Sequence, residues 1–206
     1  MVSLKAHLLK QLKKPLPGTI AHIEAAPYRC INFKKEELAK AKKSGVLILF
    51  YKKNNEPYIV LMQRPKYKGT HSGQISFPGG KQEKTDKDIT ETALREANEE
   101  VGVISADVEL LGQLTDVYIP VSKFNVTPVL GFVDYCPNFI IDKIEVEELI
   151  ELRLVDITEL RTSQIKLSNG SVLNAPCFMI NGKIIWGATA LMLNELRHML
   201  KFWKIT

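Results

Sequence analysis

The stretch Gly80-Lys-Gln-Glu-Lys-Thr-Asp-Lys-Asp-Ile-Thr-Glu-Thr-Ala-Leu-Arg95-Glu96-Ala97-Asn98-Glu99-Glu100-Val101-Gly102-Val103 sets three carboxylates at helical spacing behind a pair of glycines. Residues three and four apart share a helix face, so Glu96, Glu99 and Glu100 fall within an arc of about 100° at 3.6 residues per turn. At roughly 6 Å and an effective dielectric of ~20, each like-charged pair costs about 3 kcal/mol, a repulsion that a hard, oxygen-seeking divalent cation removes. Ile89, Ala93, Ala97 and Val101 recur every four residues, an apolar stripe that docks this helix on a core, and Gly102 stands where a C-terminal stop is expected. Thr85 and Asp88 offer capping-box spacing at the helix start. Ahead of them, Phe77-Pro78-Gly79-Gly80 reads as a rigid turn whose paired glycines permit close backbone approach to an ion or a phosphate. A cluster of acids on a helix is often only a solvated face, but the glycines before it and the stripe beside it favour an ion site.

Outward from this helix, strands alternate with helical stretches. Val46 to Tyr51 and Tyr58 to Gln63 are rich in β-branched and aromatic residues, and Lys52 to Pro57 with Asn54-Asn55 reads as their hairpin turn. Further strands are expected near 109–117, 125–135 and 149–154, with a short pair near 164–180 around Asn169-Gly170. A last helix, from about 187 to 202, carries Leu191, Leu193, Leu196, Met199 and Leu200, while Trp186 and Phe202-Trp203 read as core or helix-end packing. Before the first strand, residues 3–14 fit a short amphipathic helix ended by Pro15-Leu-Pro-Gly18. A loop with Pro27 then leads to a second helix near 34–43. The pattern predicts an α/β layered fold.

With 206 residues and 45% hydrophobic content, the chain can bury one good core, so 1–206 reads as a single domain with a basic, helical N-terminal extension over 1–43. No apolar run approaches the ~20 residues needed to span a bilayer, and the first 15 residues lack the apolar segment of a secretory signal. A cytoplasmic protein without membrane association is expected. Cys30, Cys136 and Cys177 show no Cys-x-x-Cys spacing, which argues against a zinc site or a disulfide framework. Of the scattered His7, His22, His71 and His198, only His71 is placed to face a substrate. The net charge of +5 suits a polyanionic partner. Because Lys34, Lys35, Lys40, Lys42 and Lys43 alternate with Glu36 and Glu37 in an ordinary solvated pattern, nucleic acid is not expected to be that partner.

The segment quoted first resembles the Nudix box: Gly, five residues, Glu, seven residues, then Arg-Glu-apolar-x-Glu-Glu-x-Gly-apolar. Its second half matches from Arg95 to Val103, with Ala97 as a small member of the apolar class. In the first half, fourteen residues rather than thirteen separate Gly80 from Arg95, and Lys87 stands where Glu is called for. Asp86, at the right distance from Gly80, is the substitute for that Glu, which in the family supports the loop and the Arg. Upstream, Leu61-Met-Gln-Arg64-Pro-Lys-Tyr-Lys-Gly-Thr-His71-Ser-Gly73-Gln-Ile-Ser-Phe77-Pro-Gly-Gly80 is similar to the signature of coenzyme A pyrophosphatases. Pro65 replaces its Ser or Ala and Gly69 its second Arg, leaving Lys66 and Lys68 as candidates for the missing charge. The segments 120–133 and 185–190 are also similar to this subfamily.

The resemblance implies the Nudix α/β/α sandwich with a mixed β-sheet, and Mg²⁺ or Mn²⁺ as cofactor. By the same resemblance, Glu96 and Glu100 are the firmest metal ligands and Glu99 is a ligand or the general base. The Gly79 carbonyl completes the coordination shell, Arg95 orients the glutamates, and Glu145 is the acid contributed from a distant loop. Arg64, Lys66, Lys68 and Gly80 are the expected substrate contacts. The implied activity is hydrolysis of the diphosphate linkage of coenzyme A or acyl-coenzyme A to 3′,5′-ADP and (acyl) 4′-phosphopantetheine. A broader nucleoside-diphosphate-X pyrophosphatase, acting on ADP-ribose or dinucleotides, keeps the same chemistry. A non-catalytic nucleotide-sensing module is the reading from another class, and it would not require the full acidic cluster. The expected partner is a small-molecule diphosphate, bound by a monomer or homodimer.

Overall fold

A computed structural model describes residues 3–28, 33–67, 69, 71–167, 170–201 and 203. The apolar run Val46 to Tyr51 lies inside β1 (Lys42–Lys53) and is buried throughout. Successive strand residues point to opposite faces, so Val46, Ile48 and Phe50 enter one apolar cluster and Leu47, Leu49 and Tyr51 another. A strand covered on both faces reads as an unbroken apolar run, which is how β1 appears in the sequence.

Before β1 come α1 (Leu4–Leu12), α2 (Gly18–Ala25) and α3 (Lys35–Ala39). After it come β2 (Glu56–Gln63), β3 (Ile75–Ser76), β4 (Gly79–Lys81), α4 (Ile89–Val101), β5 (Glu109–Gln113), β6 (Val117–Ile119) and β7 (Phe124–Phe132). The chain ends through β8 (Glu148–Arg153), β9 (Arg161–Lys166), β10 (Val172–Ile180), β11 (Lys183–Ile185) and α5 (Gly187–Leu200). The main sheet runs β3-β2-β1-β7-β5, with β8 on β2, β4 on β1 and β6 on β7. Only the β1–β7 pairing among these is parallel, so the sheet is mixed. Strands β9 to β11 form a separate antiparallel sheet.

One face of the main sheet is covered by α4 through Ala93, Ala97 and Val101, and the other by α1, α2 and α5. The expected α/β/α sandwich with a mixed sheet is the fold. Among the described residues, no helix is long and apolar enough to cross a membrane. The expected Asn54-Asn55 turn is present, both residues taking positive φ (51° and 63°) as a tight hairpin turn requires. Asn169 and Phe202 lie outside the described residues.

Several expectations are corrected. The segment before Pro27 is a helix, α2, because the carboxylate of Glu195 on α5 accepts the Gly18 N–H at 3.2 Å and fixes the helix start. Lys42 and Lys43 belong to β1 rather than to the preceding helix. The strand expected over 109–117 is two strands, interrupted at Leu114 to Asp116. Gly79 and Gly80 form β4, a strand on β1, instead of a turn. Strand β11 had no sequence expectation; the left-handed Asn181-Gly182 pair turns β10 back onto it.

Candidate active site

Helix α4 begins at Asp88, whose carboxylate accepts the Thr90 and Glu91 N–H groups at 2.8 and 3.0 Å, so Asp88 rather than Thr85 is the cap. It ends at Gly102, which takes the left-handed conformation (φ 74°) that glycine allows. Its first turn rests on β1 with no side chain between them, since a Cβ on Gly45 would lie 2.5 Å from the Ile89 carbonyl oxygen. This close docking brings the acidic face of α4 against β4.

The three glutamates meet different surroundings. Glu100 is almost fully buried, accepts the Gly79 N–H at 2.7 Å and lies 3.4 Å from Arg64 Nη2. Burial pushes its carboxyl up to about 8 against the opposing pull of Arg64 and the Gly79 N–H. Glu96 is also pushed up by burial, with Arg95 pulling it down and the charges of Glu99 and Glu145 adding to the rise. Its carboxylate fills the place where a Cβ on Gly80 would stand, 2.4 Å from Glu96 Cδ, so only glycine permits this approach. Glu99 is the exposed member, held by Arg95 Nη1 at 2.9 Å.

Arg95 gathers the acids from behind. Its Nε and Nη2 donate to the two oxygens of Asp86 at 2.9 and 3.0 Å, while Nη2 also lies 3.0 Å from Glu96. Asp86 in turn accepts from Thr92 Oγ1 and the Glu83 N–H, both at 2.9 Å. The Arg95 guanidinium, with these two donors, holds the Asp86 carboxyl well below the usual carboxylate range. Asp86 therefore supports both the loop and the arginine, and the residue inserted before the helix is absorbed in the exposed Lys87.

Glu145 lies on the loop between β7 and β8, which is tied to the C-terminal end of α4 by Asp142 N–H to Glu100 carbonyl at 2.9 Å and Ile140 N–H to Val101 carbonyl at 3.1 Å. Its charge is felt at both Glu96 and Glu100. Glu148, one of its neighbours in the sequence, instead pairs with Lys183 at 2.6 Å. Arg64 Nη2 donates to the Gly79 carbonyl at 3.1 Å, so the carbonyl expected to face an ion is also a guanidinium contact.

Among the described residues, no three His, Cys, Asp or Glu side chains are gathered closely enough to enclose an ion by themselves. The donors still fit a divalent cation. The hard carboxylate oxygens of the half-buried Glu96 and the buried Glu100 are drawn up against bare glycine backbone, and burial raises both carboxyls as expected of acids that lack full compensation.

Beside β4 opens a cleft of about 430 Å³, lined at one end by Arg64, Gly79 and Gly80 and walled by apolar groups including Val46, Ile119, Phe124 and Met192; the α4 glutamates contact the two glycines but do not line it. A second cleft, of about 950 Å³, shares His71, Gln74, Ile75, Val121 and Trp186 with it. Lys66 lines only this second cleft and Arg64 only the first. Lys68 lies outside the described residues. Trp186, expected as packing, precedes α5 but also walls both clefts. Gly69 packs beneath the Tyr67 ring, since a Cβ there would lie 2.7 Å from Tyr67 Cε2; an arginine at this position would displace the ring.

A mixed-sheet sandwich with an acidic helix docked on a double-glycine strand defines the class as a Nudix-type α/β fold. Residues 41–174 match the sequence profile described as NUDIX domain. An uncharacterized Nudix hydrolase, NudL, of Yersinia enterocolitica is 36% identical over 144 residues, covering 68% of this chain and 73% of that protein. Its namesake in Pectobacterium atrosepticum is 44% identical over 98 residues, 48% of this chain and 50% of that one. The chain belongs to the Nudix hydrolase family, whose members typically use a divalent metal. Among solved structures, the Nudix hydrolase RenU of M. smegmatis superposes with a TM-score of 0.55 at 12% identity, over 81% of this chain and 89% of RenU. A MutT/nudix family protein from Enterococcus faecalis gives a TM-score of 0.53 at 12% identity, over 98% of this chain and 75% of that one. These two likenesses concern the fold alone.

Proposed function

We propose that the protein hydrolyses the diphosphate linkage of nucleoside diphosphate derivatives with Mg²⁺ or Mn²⁺. The observation that carries this reading is the junction at β4, where Gly79 and Gly80 line a cleft beside Arg64 on one side and contact Glu100 and Glu96 on the other. A divalent ion held by Glu96 and Glu100 would neutralise phosphate charge and lower the pKa of a water for attack. Glu99, the most exposed of the three acids and steered by Arg95, is the group to take the proton from that water. Arg64 presents its guanidinium to a phosphate oxygen at the same end, where planar donors match phosphate geometry. The apolar wall of the cleft holds the non-phosphate part of the substrate and keeps bulk water from the reacting group.

Coenzyme A is the narrower substrate reading. It is favoured by the position of the segment Leu61 to Gly80, which supplies Arg64, Tyr67, His71, Gln74 and Phe77 to the wall of the cleft. Pro65 and Gly69 depart from the coenzyme A signature, so the broader activity is the primary reading. A panel of ADP-ribose, dinucleotides, coenzyme A and nucleoside triphosphates, assayed with each metal, tests both. Turnover of coenzyme A alone supports the narrow reading, turnover of several diphosphates the broad one, and turnover of none overturns the proposal.

A further inference from the structure

The second cleft is walled by Lys66 from the loop after β2, Lys166 from the end of β9 and Lys183 from β11, and no Asp or Glu is among its lining residues. Three lysines reach one hollow from separate parts of the chain, and among the described residues only Lys183 is met by a carboxylate, Glu148 at 2.6 Å, so the hollow keeps a net positive charge that attracts an anion. Among the described residues, neither Lys66 nor Lys166 has an acidic partner. Lys183 is anchored by Gln63 Oε1 at 3.1 Å and Glu148 Oε2 at 2.6 Å, which fixes its position and leaves one of its three N–H donors for a ligand. Lys183 lies beyond the residues matched by the family profile, whereas Lys66 and Lys166 lie within them.

The hollow is not isolated. His71, Gln74, Ile75, Val121 and Trp186 border both clefts, so a ligand whose diphosphate lies at Arg64 and Gly80 reaches the lysines along this shared wall. His71 is held there in a left-handed backbone conformation (φ 72°), with Nδ1 2.9 Å from Gln74 Oε1, which leaves Nε2 as the other polar edge of the ring. Positive φ in a non-glycine residue is strained, and here it sets an imidazole at the passage between the two compartments.

We propose that the Lys66–Lys166–Lys183 basin is a second anion subsite, which takes a phosphomonoester that the substrate carries apart from its diphosphate. The inference rests on the diphosphate reading for the first cleft, but its test does not depend on turnover. Adenosine 3′,5′-bisphosphate, adenosine 2′,5′-bisphosphate and AMP are titrated into the metal-free protein by calorimetry. The wild type is expected to bind at least one bisphosphate roughly tenfold more tightly than AMP, the scale of one charge-assisted contact. Which isomer gains shows where the ligand carries its extra phosphate. Lys166→Gln combined with Lys183→Gln should abolish the difference, whereas Lys166→Arg with Lys183→Arg should retain most of it. A melting temperature for each variant confirms folding, and the exposed Lys166→Gln alone provides a milder test. Equal affinity of the wild type for all three ligands would overturn the subsite. So would a difference that survives in the double Gln variant. Neither result would touch the hydrolase reading, which is tested separately by cleavage of diphosphates with metal present.

Discussion

Asp86 engages both carboxylate oxygens, with Arg95, Thr92 and the Glu83 N–H as partners, and its side chain is only 3% exposed. Its folded carboxyl is held below the ordinary value, chiefly by Arg95. The stabilisation is therefore complete above the ordinary carboxylate range and is lost as pH falls through the folded value. Asp86→Asn should lower unfolding free energy by about 1.5 to 3 kcal/mol at neutral pH, and the gap to wild type should narrow below about pH 4. Urea titrations at pH 7 and at acid pH check this, and a gap constant with pH would count against the assignment. Gly80 makes a different demand, because a methyl group there would collide with the Glu96 carboxylate. Gly80→Ala should cut turnover by about tenfold or more while costing less than about 1 kcal/mol of stability, since the displaced group is the end of a side chain. Parallel kcat and melting measurements separate those effects. The glutamate cluster was legible in the sequence because all three acids lie on one helix. Asp86 could be placed by counting from Gly80, but its contacts with Arg95 depend on how the loop folds.

At the scale of elements, α4 and β1 are held in register by a contact that has no side chain on one side. Gly45→Ala would drive a Cβ against the Ile89 carbonyl and the Ala93 backbone, so the helix must lift from the sheet. We expect a loss of about 1 to 3 kcal/mol, as for an overpacked core. The activity of the folded fraction should fall as well, because the same helix carries Glu96 and Glu100. A normal denaturation midpoint in Gly45→Ala would contradict this account of the docking. Strands β1, β2 and β7 were readable because their burial is written locally as apolar runs. Strand β4 was not, because two glycines carry no pattern and their pairing with Ser44 to Val46 is non-local. Helix α2 was hidden for a related reason: Pro15 to Gly18 reads as a breaker, and what starts the helix is a carboxylate near the other end of the chain.

At the scale of the whole molecule, that carboxylate ties the two ends to the middle. Glu195 is fully buried and accepts from Gly18 N–H, Thr115 N–H and Thr115 Oγ1, while its second oxygen lies 3.0 Å from His22 Nε2. Leu8 of α1 and Ala25 of α2 join the same core as α5, so the first helices are packed into the sandwich rather than appended to it. Glu195→Ala should destabilise the fold by about 3 to 5 kcal/mol, because it strands the buried Gly18 N–H and the part-buried donors of Thr115 and His22 at once. Equilibrium unfolding measures it, and a change under about 1 kcal/mol would contradict the central role of this residue. The two clefts are a property of the same scale: their walls come from β2, β9, β11 and α5, and no local spacing announced Lys166 or Lys183 as neighbours of Lys66. We propose that the acids of α4 and the β4 backbone form one metal-dependent site for diphosphate cleavage. The most direct test is product release from ADP-ribose and coenzyme A with Mg²⁺ by wild type and by Glu100→Gln, after chelation and metal restoration. Wild type is expected to turn over substrate only when metal is restored, and a folded Glu100→Gln variant to lose roughly 10²-fold or more. Full activity without metal, or undiminished activity in Glu100→Gln, would contradict the proposal.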